Sequence, residues 1–161
     1  MLIGILSDIH DNIWALDDAL EELSACDALL CLGDLCAPFT MAAIGKGFAG
    51  PVYTAWGNND GDKVHISRQA DNHEHVQIKG DVCFVELGGR RIAMTHYPEL
   101  AEALAQGGQY DLVCHGHDHE RRIVQGEKTV LLNPGEVMGR FGVRSVAVYD
   151  TEEGKARLIE F

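Results

Sequence analysis

The sequence is short of positive charge, of aromatic residues and of proline: 13 Lys+Arg stand against 25 Asp+Glu, 7% of residues are aromatic, and four of the 161 are Pro. A formal net charge of −12 leaves no basic face for nonspecific nucleic-acid binding or for an anionic membrane surface. Long apolar runs are missing too. The longest, such as Leu2-Ile3-Gly4-Ile5-Leu6, reach about six residues, against the roughly 18–20 that span a bilayer. The amino terminus lacks a basic stretch, apolar core and cleavage site, so no secretion signal is read. The five cysteines, Cys26, Cys31, Cys36, Cys83 and Cys114, are odd in number and have no CxxC spacing. They read as reduced thiols of a cytoplasmic protein. No Pro/Ser-rich linker, repeat or low-complexity tract divides the chain, which predicts one domain over 1–161.

What is present is ordinary globular material, 46% hydrophobic and 24% charged. The first half alternates short apolar runs with helical spacing. Leu2–Leu6, Ala28–Leu32 and Pro51–Ala55 read as strands. Ile13, Leu16, Leu20 and Leu23 recur at helical intervals, and Met41–Phe48 and Asp62–Ala70 read as further helices. This rhythm predicts parallel strands with right-handed crossovers. The second half reads as hairpins: Val82–Leu87 with Arg91–Thr95, Arg122–Gln125 with Thr129–Leu132, and Val143–Tyr149 with Ala156–Phe161. Between them lie a helix, Pro98–Ala105, and a short strand, Leu112–Cys114. The pattern suggests two packed sheets with helices outside, although periodicity alone does not choose that over one mixed sheet.

Polar residues gather where the strands end. Successive runs finish in Asp8-Ile9-His10, Gly33-Asp34, Gly57-Asn58-Asn59-Asp60, Thr95-His96 and His115-Gly116-His117-Asp118-His119. Ligands of open α/β sheets bind at the carboxyl ends of strands. Asp8, His10, Asp34, Asn58, His96, His117 and His119 together offer two carboxylates, one amide oxygen and four imidazoles, with no thiolate. That mixed N/O set suits Mn²⁺, Fe, Zn²⁺ or Ni²⁺. Seven donors exceed the needs of one ion with open positions; they suit two ions about 3.5–4 Å apart sharing a carboxylate. In extended backbone, His117 and His119 would point the same way, each serving one ion.

These motifs, in this order, resemble those of the calcineurin-like metallophosphoesterases, and most of all the small single-domain bacterial and archaeal phosphodiesterases. The later Asn133-Pro134-Gly135 resembles that family's closing motif. The resemblance implies a four-layer α/β/β/α sandwich of two mixed sheets with a dinuclear centre. It implies that Asp8, His10 and His119 hold one ion, that Asn58, His96 and His117 complete a second, and that Asp34 bridges them. Mn²⁺ is the expected metal, with Ni²⁺, Fe or Zn²⁺ as alternatives. Two divalent ions, two carboxylates and one hydroxide leave a site of about +1, able to draw a small phosphate ester into an acidic protein. The implied reaction is phosphodiester hydrolysis by a metal-activated bridging water, with phosphomonoesters as further candidates. The same fold also serves a non-catalytic interaction module, the retromer scaffold subunit, and small relatives form homo-oligomers.

One residue departs from the pattern. Where the family places a His near the leaving group, this chain has Asn59. An amide can hydrogen-bond phosphate but cannot act as an acid, so aryl oxides should leave more readily than alkyl alcohols. Asp60 reads either as a helix cap or as a support for His10 or another ligand. Asp11 and Asn12 read as caps or phosphate contacts. His115 reads as a loop or core residue, and His73 and His75 as a solvated strand face. Trp14 is expected in the core or an interface, and Trp56 beneath the site.

Overall fold

The computed structural model describes Met1–Phe161. Eleven strands and four helices follow the order β1 (Leu2–Leu6), α1 (Ile13–Glu22), β2 (Ala28–Cys31), α2 (Pro38–Gly47), β3 (Val52–Ala55), α3 (Lys63–Asp71), β4 (Val76–Gly80), β5 (Val82–Leu87), β6 (Arg90–Thr95), α4 (Pro98–Gln106), β7 (Leu112–Cys114), β8 (Arg122–Gln125), β9 (Val130–Asn133), β10 (Ser145–Asp150) and β11 (Lys155–Glu160).

Strand alternation divides the interior. Leu29 and Cys31 of β2 turn toward the helices α1, α2 and α3, while Leu30 and its successor Leu32 turn toward the second sheet. Ile3 and Ile5 join Ile92, Met94, Leu112 and Leu132 in the layer between the sheets. Ala93 and Val113 face the other way, onto Ala101 of α4. The period-2 pattern therefore builds helices, sheet, sheet and helix in four layers.

The first sheet runs β11-β10-β1-β2-β3-β4 and the second β5-β6-β7-β9-β8. In each, a parallel set carries antiparallel strands at its margins: β1 to β4 pair in parallel, and so do β6, β7 and β9. The carboxyl ends of β1, β2, β3, β6 and β7 carry the polar loops of the site.

Two expectations need correction. His73 and His75 do not lie on a strand; they occupy the turn before β4, where the His75 ring sits 2.9 Å from the Phe48 carbonyl. Trp14 is not in the core, with 76% of its surface exposed. The buried stripe of α1 is Ala15, Leu16, Ala19 and Leu20, and Trp14 stands beside it. All five cysteines are free.

Candidate active site

Seven non-glycine residues adopt positive φ: Asp8, His10, Asp11, Asp34, Cys36, His117 and His119. Five of them are residues that the sequence singles out as ligands. Such backbone costs on the order of 1–3 kcal/mol per residue and persists where the surroundings over-determine it. The extended geometry expected for His117 and His119 is therefore not what forms. Their φ angles are 76° and 61°, and the tight loop sends the two rings to different neighbours. His117 Nδ1 lies 2.8 Å from Asn58 Oδ1, whereas His119 Nε2 lies 3.3 Å from Asp8 Oδ1.

Glycines open the room for these loops. A Cβ on Gly57 would collide with Asp34 Oδ1, and one on Gly116 would collide with Ser7 Oγ and Asp8 Oδ2. Each carboxylate is thus seated against backbone that a side chain would fill.

All seven sequence-predicted ligands come together. His10 Nε2 is 3.8 Å from Asp8 Oδ1 and 3.4 Å from Asp34 Oδ2. His96 Nε2 is 3.3 Å from the same Asp34 oxygen and 3.0 Å from Asn58 Oδ1. Two donors bound about 2.1 Å from one cation, at angles from about 90° to about 120°, are separated by roughly 3.0–3.6 Å, and most of these distances fall in that range. Asp8, His10 and His119 form one group able to hold an ion; Asp8, Asp34 and His96 form another. Asp8 Oδ1 and His10 Nε2 are buried with no hydrogen-bond partner. Orphaned buried atoms of this kind are costly, and a cation would satisfy both. The residues fit a metal centre.

The charges respond to one another. Burial alone would raise the pKa of Asp34, but hydrogen bonds from His96 and Asn59 outweigh it and hold the carboxyl well below its usual range. The nearby Asp8 carboxylate, helped by Asp34, raises His10 above the ordinary imidazole value against the effect of burial. Burial lowers and Asp34 raises His96, with the carboxylate prevailing.

The neighbouring residues take defined places. Asn59 donates to Asp34 from its backbone at 2.8 Å and from its amide at 2.7 Å. Asp60 is buried, and its oxygens accept the backbone N–H groups of Asp34, Gly57 and Cys36 at 3.2, 2.7 and 2.9 Å. Capping of α3 falls to Asp62 instead. Asn12 caps α1, while Asp11 accepts from Ala37 N–H and Thr40 Oγ1 at the start of α2. His115 is fully buried with its ring between the Gly116 carbonyl and Arg122, and burial lowers its pKa. Trp56 packs against the core beneath α1 to α3, with Lys63 Nζ 5.0 Å from its ring centroid.

Glu136 escaped sequence reasoning. It is 2% exposed, and its Oε2 lies 2.7 Å from His119 Nδ1. The only signal was its position directly after Asn133-Pro134-Gly135.

Imidazoles, carboxylates and the Asn58 amide gathered at five strand ends of a four-layer sandwich form a candidate metal centre. The calcineurin-like phosphoesterase superfamily domain matches residues 1–154, and the chain belongs to that superfamily of metal-dependent hydrolytic enzymes. It is 27% identical to phosphodiesterase MJ0936 of Methanocaldococcus jannaschii over 99% of this chain and 98% of that one. The structure of an archaeal phosphodiesterase superposes with a TM-score of 0.91 at 28% identity, covering all of both chains. At lower identity the likeness is one of fold. The Escherichia coli phosphoesterase YfcE reaches a TM-score of 0.69 at 21% identity, covering 99% of this chain and 98% of that one. Zinc-complexed Vps29 of Entamoeba histolytica reaches 0.66 at 16%, covering 100% and 98%.

Proposed function

We propose that this phosphoesterase hydrolyses phosphodiester bonds, with phosphomonoesters as further candidates, at a dinuclear metal centre within one domain. The observation that carries the reading is the position of Asp34 Oδ2, 3.4 Å from His10 Nε2 and 3.3 Å from His96 Nε2. One carboxylate oxygen stands between two groups of donors. Asp8, His10 and His119 would hold one ion, Asn58, His96 and His117 the other, and Asp34 both. Mn²⁺ is the metal we expect, and Ni²⁺, Fe or Zn²⁺ suit the same donors. When bound, two such ions supply Lewis acidity, lowering the pKa of a water and drawing charge from phosphoryl oxygens.

The chain's own groups orient this chemistry. Asp60 fixes the Asp34 and Gly57 loops through their amides and has no free oxygen for substrate; it positions rather than reacts. Asn59 is exposed beside Asp34 and can offer its amide to a phosphate oxygen. It has no proton to give a departing alkoxide, so aryl esters are the favoured substrates. A net charge of −12 disfavours nonspecific nucleic-acid binding, and five free thiols suit the cytoplasm.

The test is hydrolysis of bis-p-nitrophenyl phosphate by chelator-stripped protein resupplied with Mn²⁺, Ni²⁺, Fe²⁺, Zn²⁺ or Mg²⁺. Metal-restored turnover that Asp34→Ala and His96→Ala both abolish is the expected result. Two bound ions without turnover under any metal would move the reading to a non-catalytic interaction module.

A further inference from the structure

Glu136 is a buried carboxylate, and His119 is the one basic side chain within salt-bridge distance of it. Each of its oxygens has a task. Oε2 lies 2.7 Å from His119 Nδ1, and Oε1 accepts the Phe141 N–H at 2.6 Å. With Nδ1 held, His119 turns Nε2 toward Asp8 Oδ1. The far nitrogens of two other histidines are held differently: His96 Nδ1 by the Leu32 carbonyl at 2.9 Å, and His10 Nδ1 by Cys36 Sγ at 3.5 Å. Of these three, His119 alone has an anion behind it. A carboxylate behind a ligating imidazole fixes its tautomer and raises its basicity.

The second contact reaches the loop after β9. Phe141 is 70% exposed, yet its ring stands 5.2 Å from the His119 ring at 85°. Its backbone amide is tied to the same carboxylate that orients His119. The two donors meet different oxygens of Glu136. A glutamine in the same pose would turn its NH2 toward one of these donors, so it keeps one contact and loses the other.

We propose that Glu136 is a positioning residue that sets His119 for the ion on the Asp8 side and ties the Phe141 loop to that ion. The proposal rests on the metal-centre reading above. Ligation that fixes His119 fixes Glu136, and Glu136 holds the Phe141 amide. By linkage, ion binding and loop order favour each other.

The test titrates chelator-stripped wild type, Glu136→Gln and Glu136→Ala with Mn²⁺, following free Mn²⁺ by electron paramagnetic resonance. Hydrogen exchange of the peptide containing Phe141 is measured with and without metal. Wild type should show two ions, with slower exchange when loaded. Glu136→Ala should weaken one ion by about 10–100-fold, leave the other unchanged and expose the Phe141 amide. Glu136→Gln should lose one of the two effects and keep most of the other. Circular dichroism establishes that each variant is folded; should Glu136→Ala not fold, Glu136→Gln carries the test. Folded Glu136→Ala that binds both ions as wild type does overturns the proposal, and so does folded Glu136→Gln that keeps both the wild-type ion affinities and the wild-type protection of Phe141. So does weakened ion binding with the Phe141 amide equally protected in both variants and in metal-free wild type. Wild type that takes up no ion removes the metal-centre reading itself, a different failure.

Discussion

On the Asp8 side of the site, Asp8 Oδ1 and His10 Nε2 are buried without a hydrogen-bond partner. On the His96 side, Asn58 Oδ1 already sits 3.0 Å from His96 Nε2 and 2.8 Å from His117 Nδ1. The Asp8 side carries unsatisfied buried atoms that a cation would relieve. On the His96 side Nδ1–H is given to the Leu32 carbonyl, so Nε2 and Asn58 Oδ1 are partnered only while a second imidazole proton lies between them, and a cation there must displace that proton. The Asp8 side also has an anion, Glu136, behind one of its imidazoles. Two donor sets of similar composition should therefore bind their ions unequally, the Asp8 side more tightly.

On the proposal that Asp34 is shared by both ions, its removal should have the largest effect. Asp34→Ala is expected to lower kcat for bis-p-nitrophenyl phosphate by about 10²–10³-fold or more, the scale of losing a group that stabilises transition-state charge. Steady-state kinetics at saturating Mn²⁺ measures it; an effect confined to KM would mean that Asp34 is not shared between the two sides.

The leaving-group side comes next. Asn59→His places a titratable group where Asn59 now contacts Asp34. It should raise turnover of alkyl phosphodiesters by about 10-fold or more while changing aryl esters little, since general acids contribute about 10²–10⁴-fold when well placed. Equal gains on both ester types would show that protonation of the leaving group does not limit this enzyme.

The inequality itself is tested by paired substitutions. His119→Ala should abolish the tighter class of bound ion, and His117→Ala should weaken the looser class by about 10–100-fold. Isothermal titration resolves the classes; identical effects from both variants would make the two sides equivalent.

The smallest effect is on pH dependence. His10 and His96 have raised pKa values in the folded protein, so their protonation stabilises the metal-free fold. That contribution is complete below the unfolded value of 6.5 and disappears as pH rises through the higher folded values. The depressed pKa of Asp34 contributes across this whole window and fades only in acid. Chelated protein should thus lose melting temperature as pH rises above 6.5. Metal-loaded protein should gain it, because ions displace those protons. Parallel melting curves for both forms would count against a shared site for proton and metal.

Much of this was legible in the sequence. Gly33-Asp34, Gly57-Asn58 and Gly116-His117 stood out as polar residues after a glycine at a strand end, and Gly57 and Gly116 clear room for Asp34 and Asp8 of neighbouring strands. The layers followed from runs such as Ala28–Leu32, whose side chains serve two cores by alternation. The rest was hidden for physical reasons. Edge strand β4 sets only Val76 and Ile78 against the exposed Gln77 and Lys79, too short an apolar signal to stand out from a loop. Trp14 lies outside the core, and residue type alone does not tell which side of a helix faces inward. The positive φ of His117 and His119 is imposed by the loop around them. Glu136 acts through a contact 17 residues away in sequence, and no local pattern marks it.

The most direct measurement couples uptake of Mn²⁺ to turnover in one titration of chelator-stripped protein with bis-p-nitrophenyl phosphate present. The account predicts two ions per chain, the first bound tightly and without activity, and hydrolysis rising only as the second, weaker ion binds. Full turnover with a single ion bound, or two ions of equal affinity, would contradict it.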